Sequence, residues 1–225
     1  MTALLRMRVA AFIGSGRVVA PAILSLAILG ILHGGGASPA ASAYGYSATV
    51  FFPVLAWMTK LILDTEPDVQ RRLSRIAVGP RRELTAGLLA AATCGLVLCA
   101  FTMAAPLLVG AITGPDLAGG ILLGVLAHLL ALAAALALGA LSSRVVAGTL
   151  AKGLMILVGG AILTIVFGLS NSIAPWLAPP VMATARALNG DALPDLTRIL
   201  QLVAWTAAWC LVTLAAYTRL RTRRA

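Results

Sequence analysis

Charge is scarce in this chain. Charged side chains make up 11% of its 225 residues, against about 25% in an ordinary soluble domain, which excludes a water-soluble fold. Acidic residues number only seven and histidines two. Ionisable groups at mid-membrane are the usual mark of proton or ion coupling, and only His128 stands in the middle of an apolar run. A proton-driven carrier needs more intramembrane charge than that, so the scarcity points to energy supplied from outside the bilayer. Cysteine is limited to Cys94, Cys99 and Cys210, all inside apolar runs and without metal-type spacing. They read as buried, inert thiols. The chain lacks G-x-x-x-x-G-K-[ST], and Gly14-Ser15-Gly16 has neither the lysine nor the strand-to-helix setting, so it cannot hold ATP through a P-loop of its own. HExxH, CxxC and GxSxG are absent as well. With no catalytic constellation, the chain reads as a non-enzyme without a cofactor or metal of its own. Period-2 alternation is missing, which excludes a membrane barrel. No internal repeat is recognisable, which weakens the case for a carrier built from inverted repeats.

What is present is apolar sequence, 60% of the chain, in runs near the roughly 20 residues that a spanning helix needs. Unpaired backbone groups cannot be left in lipid, so the fold class is an all-α membrane protein, a single domain over residues 1–225. The net charge of +10 comes from 17 basic residues, mostly arginine, but they are dispersed between apolar runs. That is how a membrane protein records its orientation, and it speaks against nucleic acid as a partner. The excess of Arg over Lys, with abundant Ala, Gly and Leu, hints at a GC-rich bacterial genome.

Residues 1–17 combine Arg6 and Arg8 with Leu4, Leu5, Met7, Val9, Phe12 and Ile13, and read as an amphipathic interfacial helix. The region is too long and too apolar for a signal peptide, although Ala41-Ser42-Ala43 would make a passable cleavage site. Six spans follow: about Val18–His33, Tyr44–Leu63, Leu84–Ile112, Leu117–Leu141, Gly153–Leu169 and Arg198–Tyr217. Tyr44 and Tyr46 at one end of the second span, and Trp57 and Lys60 near the other, read as interfacial anchors. Pro53 and Pro106 are expected to bend their helices. Thr113-Gly114-Pro115-Asp116 makes a tight turn. Residues 170–197, with Pro175, Pro179, Pro180 and Pro194, are too broken to span and read as a re-entrant or interfacial pair of short helices. A basic tail of Arg219, Arg221, Arg223 and Arg224 closes the chain. With both termini in the cytoplasm of a multi-pass cell-membrane protein, 15 of the 17 basic residues lie inside and only Arg186 and Arg198 outside.

Residues 64–83 form the longest charged stretch. Thr65-Glu66-Pro67-Asp68 matches the Ser/Thr-x-x-acid capping signature, so a short helix is expected to begin near Thr65. Glu66 and Asp68 at its start, with Arg71, Arg72 and Arg75 further along, complement its dipole. Val69, Leu73 and Ile76 recur on one face, and Gly79-Pro80 ends it. A solvated loop obeying the positive-inside rule would need none of this, and the segment reads as a rigid docking element. Within the spans, Phe51, Phe52, Trp57, Met58 and His128 are candidates for a substrate path, against core or lipid-facing packing. Gly30/Gly34, Gly110/Gly114 and Gly120/Gly124 have the spacing of close helix contacts.

Taken in order, these parts resemble a type-2 ABC exporter permease, the transmembrane subunit of an ABC-2 type transporter. The residues carrying the resemblance are Leu63-Asp64-Thr65-Glu66 through Arg71-Arg72-Leu73, Gly79-Pro80-Arg81-Arg82-Glu83-Leu84, and Asn171-Ser172-Ile173-Ala174-Pro175-Trp176 with Pro179-Pro180. The resemblance implies that the charged helix between the second and third spans is a coupling helix seated in a separate ABC ATPase subunit. Val69, Leu73 and Ile76 would then contact the groove or the bundle, and Glu66, Asp68, Arg71, Arg72 and Arg75 would supply polar contacts. It also implies ATP and Mg on the partner ATPase, a second permease chain, identical or related, and outward movement of an amphipathic or hydrophobic substrate of antibiotic, lipid or peptide class. An ATP-independent carrier or channel using His128, and a non-transporting immunity or scaffold protein, are the alternatives.

Overall fold

The computed structural model describes residues 2–114, 116–190 and 192–223. Met1, Pro115 in the expected tight turn and Arg224 of the expected tail lie outside them. Ten α-helices and one two-stranded ladder account for the architecture of the described residues: α1 Thr2–Gly14, α2 Val19–His33, β1 Ser38–Pro39, α3 Ala40–Leu63, α4 Asp68–Val78, α5 Pro80–Leu108, β2 Ile112–Thr113, α6 Leu117–Leu141, α7 Arg144–Ala147, α8 Leu150–Gly168, α9 Val181–Leu188 and α10 Leu196–Arg223. Five helices are long and apolar enough to cross a membrane, and a sixth span exists if α1 and α2, bent by 73° at the intervening glycine turn, are taken as one. Alone, the 15 residues of α2 reach about 22 Å, short of a hydrocarbon core of about 30 Å.

The centre of the bundle is α3 against α6. Their contact depends on small residues: a Cβ on Gly120 would sit 2.6 Å from Ala40, one on Gly124 2.7 Å from the Tyr44 ring, and one on Gly139 2.5 Å from the backbone oxygen of Ala56. Of the three glycine spacings, then, only Gly120/Gly124 is a helix contact. Gly30 meets nothing, and Gly110 and Gly114 are turn residues with φ of 69° and 129°. Gly139, which no spacing flags, is the least forgiving of these three sites, because backbone cannot step aside as a side-chain tip can. Gly139→Ala is expected to destabilise by about 1–3 kcal/mol, whereas Gly30→Ala leaves stability unchanged or raises it slightly; paired unfolding curves check both.

Several boundaries differ from the sequence expectation for definable reasons. The charged helix begins at Asp68, not Thr65, and its N-cap residue, Pro67, makes no side-chain cap. Pro67 disfavours helical geometry at Glu66, and Thr65 is used instead to close α3, its hydroxyl donating to Leu61 O at 2.7 Å. Pro53 and Pro106 are carried inside unbroken helices. Tyr44 is no interfacial anchor: it is fully buried, and its hydroxyl donates to Met103 O at 2.9 Å. Lys60 is equally buried, paired with Asp64 one turn on. The expected basic tail is the continuation of α10, with Arg221 buried.

The two ends of the bundle differ in chemistry. At the far end, β1 and β2 pair in parallel and tie the α2–α3 connection to the α5–α6 connection. Between α8 and α10, a 3-10 turn at Pro175–Leu177 is followed by α9. This segment is fastened by Arg186 to Gly168 O, by Asn189 to the Tyr46 hydroxyl at 3.1 Å and by Trp209 Nε1 to Leu177 O at 3.0 Å. At the other end lie α1, α4, α7 and the C-terminal turns of α10, which bring most of the charge together.

Candidate functional site

The site at the charged end grows from Glu83. It lies in the first turn of α5, where a carboxylate suits the helix dipole, and it is only 1% exposed. Its Oε1 accepts from Arg8 Nη2 at 2.5 Å, its Oε2 accepts from Arg221 Nη2, and its backbone oxygen accepts from Arg8 Nη1 at 2.9 Å. Arg8 also pairs with Glu66, whose second oxygen accepts from Ser74 Oγ at 3.1 Å. Arg221 in turn donates to the Tyr217 hydroxyl at 2.8 Å. Gly87, one turn after Glu83, leaves the space that the Arg8 guanidinium fills. Two buried carboxylates thus balance two buried guanidiniums, and the four residues fasten α1, the connection leading into α4, α5 and the end of α10 to one another.

A second fastening centres on Asp64. Its Oδ2 pairs with Lys60, its Oδ1 accepts from the backbone N–H of Arg144 at 2.7 Å, and its backbone oxygen accepts from Arg17 at 3.0 Å. The connections flanking α4 are therefore held on both sides.

Helix α4 itself is amphipathic in the inverse sense. One polar edge turns inward: Arg71 is buried, with one amino group on Asp68 of the same helix, and the half-buried Ser74 donates to Glu66, while Asp68 and Arg72 stay exposed. Burial holds the Arg71 guanidinium below its ordinary pKa; the Arg221 and Arg144 cations push the same way, while Glu83 and Glu66 oppose them. The apolar stripe turns outward, with Val69 71%, Leu73 61% and Ile76 84% exposed. Packing within a domain normally does the opposite.

Nothing among protein-family profiles, curated proteins or solved structures matches this chain. What the site can do therefore rests on its own geometry.

Of the residues expected to supply polar contacts to a partner, Arg72 and Asp68 are exposed and Arg75 is half-buried, while Glu66 and Arg71 are committed to the interior. Of the expected path residues, Phe51, Phe52, Met58 and His128 are buried and only Trp57 is half-exposed. They are not gathered around one opening. Met58 borders an apolar cavity of about 440 Å³ between α1, α2 and α5, and Trp57 a separate one of about 350 Å³ beside α8. His128 is fully partnered: Nδ1 lies 2.8 Å from Gly124 O and Nε2 3.2 Å from Ser47 Oγ. A carbonyl can only accept, so Nδ1 carries the proton and Nε2 accepts from the serine.

Arg8, Glu83, Arg221 and Asp64, whose ion pairs organise this end of the bundle, are not among the site residues expected from the sequence pattern. One signal was available. The chain has only two glutamates, Glu66 and Glu83, and in so basic a chain each is a natural centre for ion pairs.

Proposed function

We propose that this chain is the permease subunit of an ABC exporter, with six spans, both termini in the cytoplasm and a second permease chain completing the pathway. An ATPase subunit that carries ATP and Mg seats α4 and drives an amphipathic or hydrophobic substrate outward. The observation that carries this reading is the inverse amphipathicity of α4. Three large apolar side chains face away from the protein on a helix whose inward edge is polar, with Arg71 buried and Ser74 bonded to Glu66. An exposed apolar cluster of this kind marks a contact surface, and the positive-inside distribution favours the cytoplasm for it. The sequence carries no P-loop motif, and a partner that supplies ATP hydrolysis fits both the vacant stripe and the scarcity of intramembrane charge.

The same fastening gives a physical route for coupling. Closure of two ATPase subunits would displace α4, and the ion pairs of Arg8, Glu66, Glu83 and Arg221 would carry that displacement to α1, α5 and α10. No bond chemistry occurs in the permease. The test is purification of the tagged full chain from native membranes in mild detergent. An ATP-hydrolysing subunit is expected to accompany it in stoichiometric amount, and reconstituted vesicles are expected to need ATP for export. Transport by the isolated chain without any ATPase would refute the reading.

A further inference from the structure

Beside the ion-pair network, α4 and α7 enclose a polar hollow of about 260 Å³, lined by Asp68, Arg71, Arg72, Arg75, Arg144, Val145 and Gly148. We infer that this hollow binds a phosphate-bearing anion, as the headgroup of an anionic lipid or as free phosphate. The inference stands apart from the exporter reading, since it needs no ATPase.

Four guanidiniums face one carboxylate there, and that carboxylate, Asp68, is already engaged by Arg71. Among the described residues, no carboxylate lies within 4.0 Å of the guanidinium of Arg72, Arg75 or Arg144, Asp64 meeting only the backbone N–H of Arg144. The acidic groups behind the hollow, Glu66 and Glu83, are taken up by Arg8 and Arg221. Positive charge is therefore left over on this wall. Arg71 supplies an independent observation: it is nine-tenths buried, and its Nη1 is shielded from solvent without any hydrogen-bond partner. A buried donor left unmade costs about 1–3 kcal/mol, and an acceptor bound in the hollow would remove that cost.

Guanidinium forks match the oxygens of a phosphate, two donors to two acceptors. The location agrees with such a ligand. Arg144 follows the end of α6 by three residues, and α4 lies between the ends of α3 and α5, so the hollow sits where the spanning helices end and headgroup phosphates gather. Its volume suits a headgroup or an inorganic anion rather than a drug-sized molecule.

The test is titration calorimetry on the purified full chain in uncharged detergent, with three probes at matched ionic strength: inorganic phosphate, dihexanoyl phosphatidylglycerol and sodium chloride. Saturable one-to-one binding of phosphate, of the phosphatidylglycerol or of both is expected, with none for chloride. Tighter binding of the lipid identifies a headgroup site, and tighter binding of phosphate a free-anion site. In Arg75→Gln/Arg144→Gln the affinity is expected to fall at least tenfold, with partial recovery in Arg75→Lys/Arg144→Lys. Both positions lie outside the buried ion pairs, so the melting temperature without probe is expected to stay at the wild-type value. Absence of binding by both phosphate probes, equal binding of chloride, or unchanged affinity in the glutamine variant would overturn the inference.

Discussion

Glu83→Gln is expected to lower the unfolding free energy by about 3–5 kcal/mol, the usual cost of breaking a buried ion pair from one side. The substitution keeps the shape of the side chain, so no cavity opens and the loss is electrostatic. Glu83 holds Arg8 with one oxygen and Arg221 with the other. Without its charge, two guanidiniums remain at a site that is nearly closed to solvent, and Glu66 is left as the nearest carboxylate partner of Arg8. Reversible unfolding in mixed micelles measures the effect. A double-mutant cycle with Arg8→Gln sharpens it: once Arg8 is gone, loss of the Glu83 charge strands one guanidinium rather than two. The double variant is then less destabilised than the sum of the singles by more than about 1 kcal/mol, because contacting residues couple. Additive losses, or a Glu83→Gln protein as stable as wild type, would mean that the cluster does not fasten this end of the bundle.

The second large effect is the reverse case, in which stability is unchanged and activity is lost. Replacing Val69, Leu73 and Ile76 together by Glu alters side chains that touch little of the protein itself, so stability is expected to stay within about 0.5 kcal/mol of wild type. Each such side chain contributes about 1.5–3 kcal/mol when fully buried against a partner. Losing three is expected to weaken association with the ATPase by about a thousandfold or more, at about 1.4 kcal/mol per factor of ten, and to reduce substrate-stimulated hydrolysis to the unstimulated rate. Arg71 makes a poor probe for the same question, because it is buried and paired and its loss would confuse folding with coupling. If α4 merely lay on the lipid surface, the triple variant would weaken membrane contact and leave hydrolysis untouched.

Legibility in the sequence followed the physics of each feature. The long apolar runs give α3, α5, α6, α8 and α10 to within a few residues, because lipid solvation requires continuous helices and charge is confined to the connections. The stripe of Val69, Leu73 and Ile76 is equally plain, since helical period alone places those residues on one face. Which way that face turns is not a property of period. It follows the ion pairs beneath α4, in which Arg8 reaches Glu66 and Glu83, 58 and 75 residues further on, and Arg221 reaches back 138 residues to Glu83. Long-range ion pairs leave no local pattern. For the same reason Tyr44 and Lys60 read as interfacial anchors from their positions near the ends of α3, although packing against α6 and pairing with Asp64 bury both. The capping signature at Thr65 failed for a local reason, because Pro67 shifts the helix start and the threonine bonds backward into α3.

The most direct measurement of the central claim, that α4 seats in an ATPase, is photo-crosslinking in native membranes from a diazirine amino acid at Ile76, the most exposed residue of the stripe. A matched probe at Leu122, an exposed position on α6, serves as control. The expected result is a protein adduct from Ile76 alone, containing an ATP-binding subunit and increasing when ATP is bound. Lipid adducts from both positions, with no protein partner at Ile76, would contradict the account.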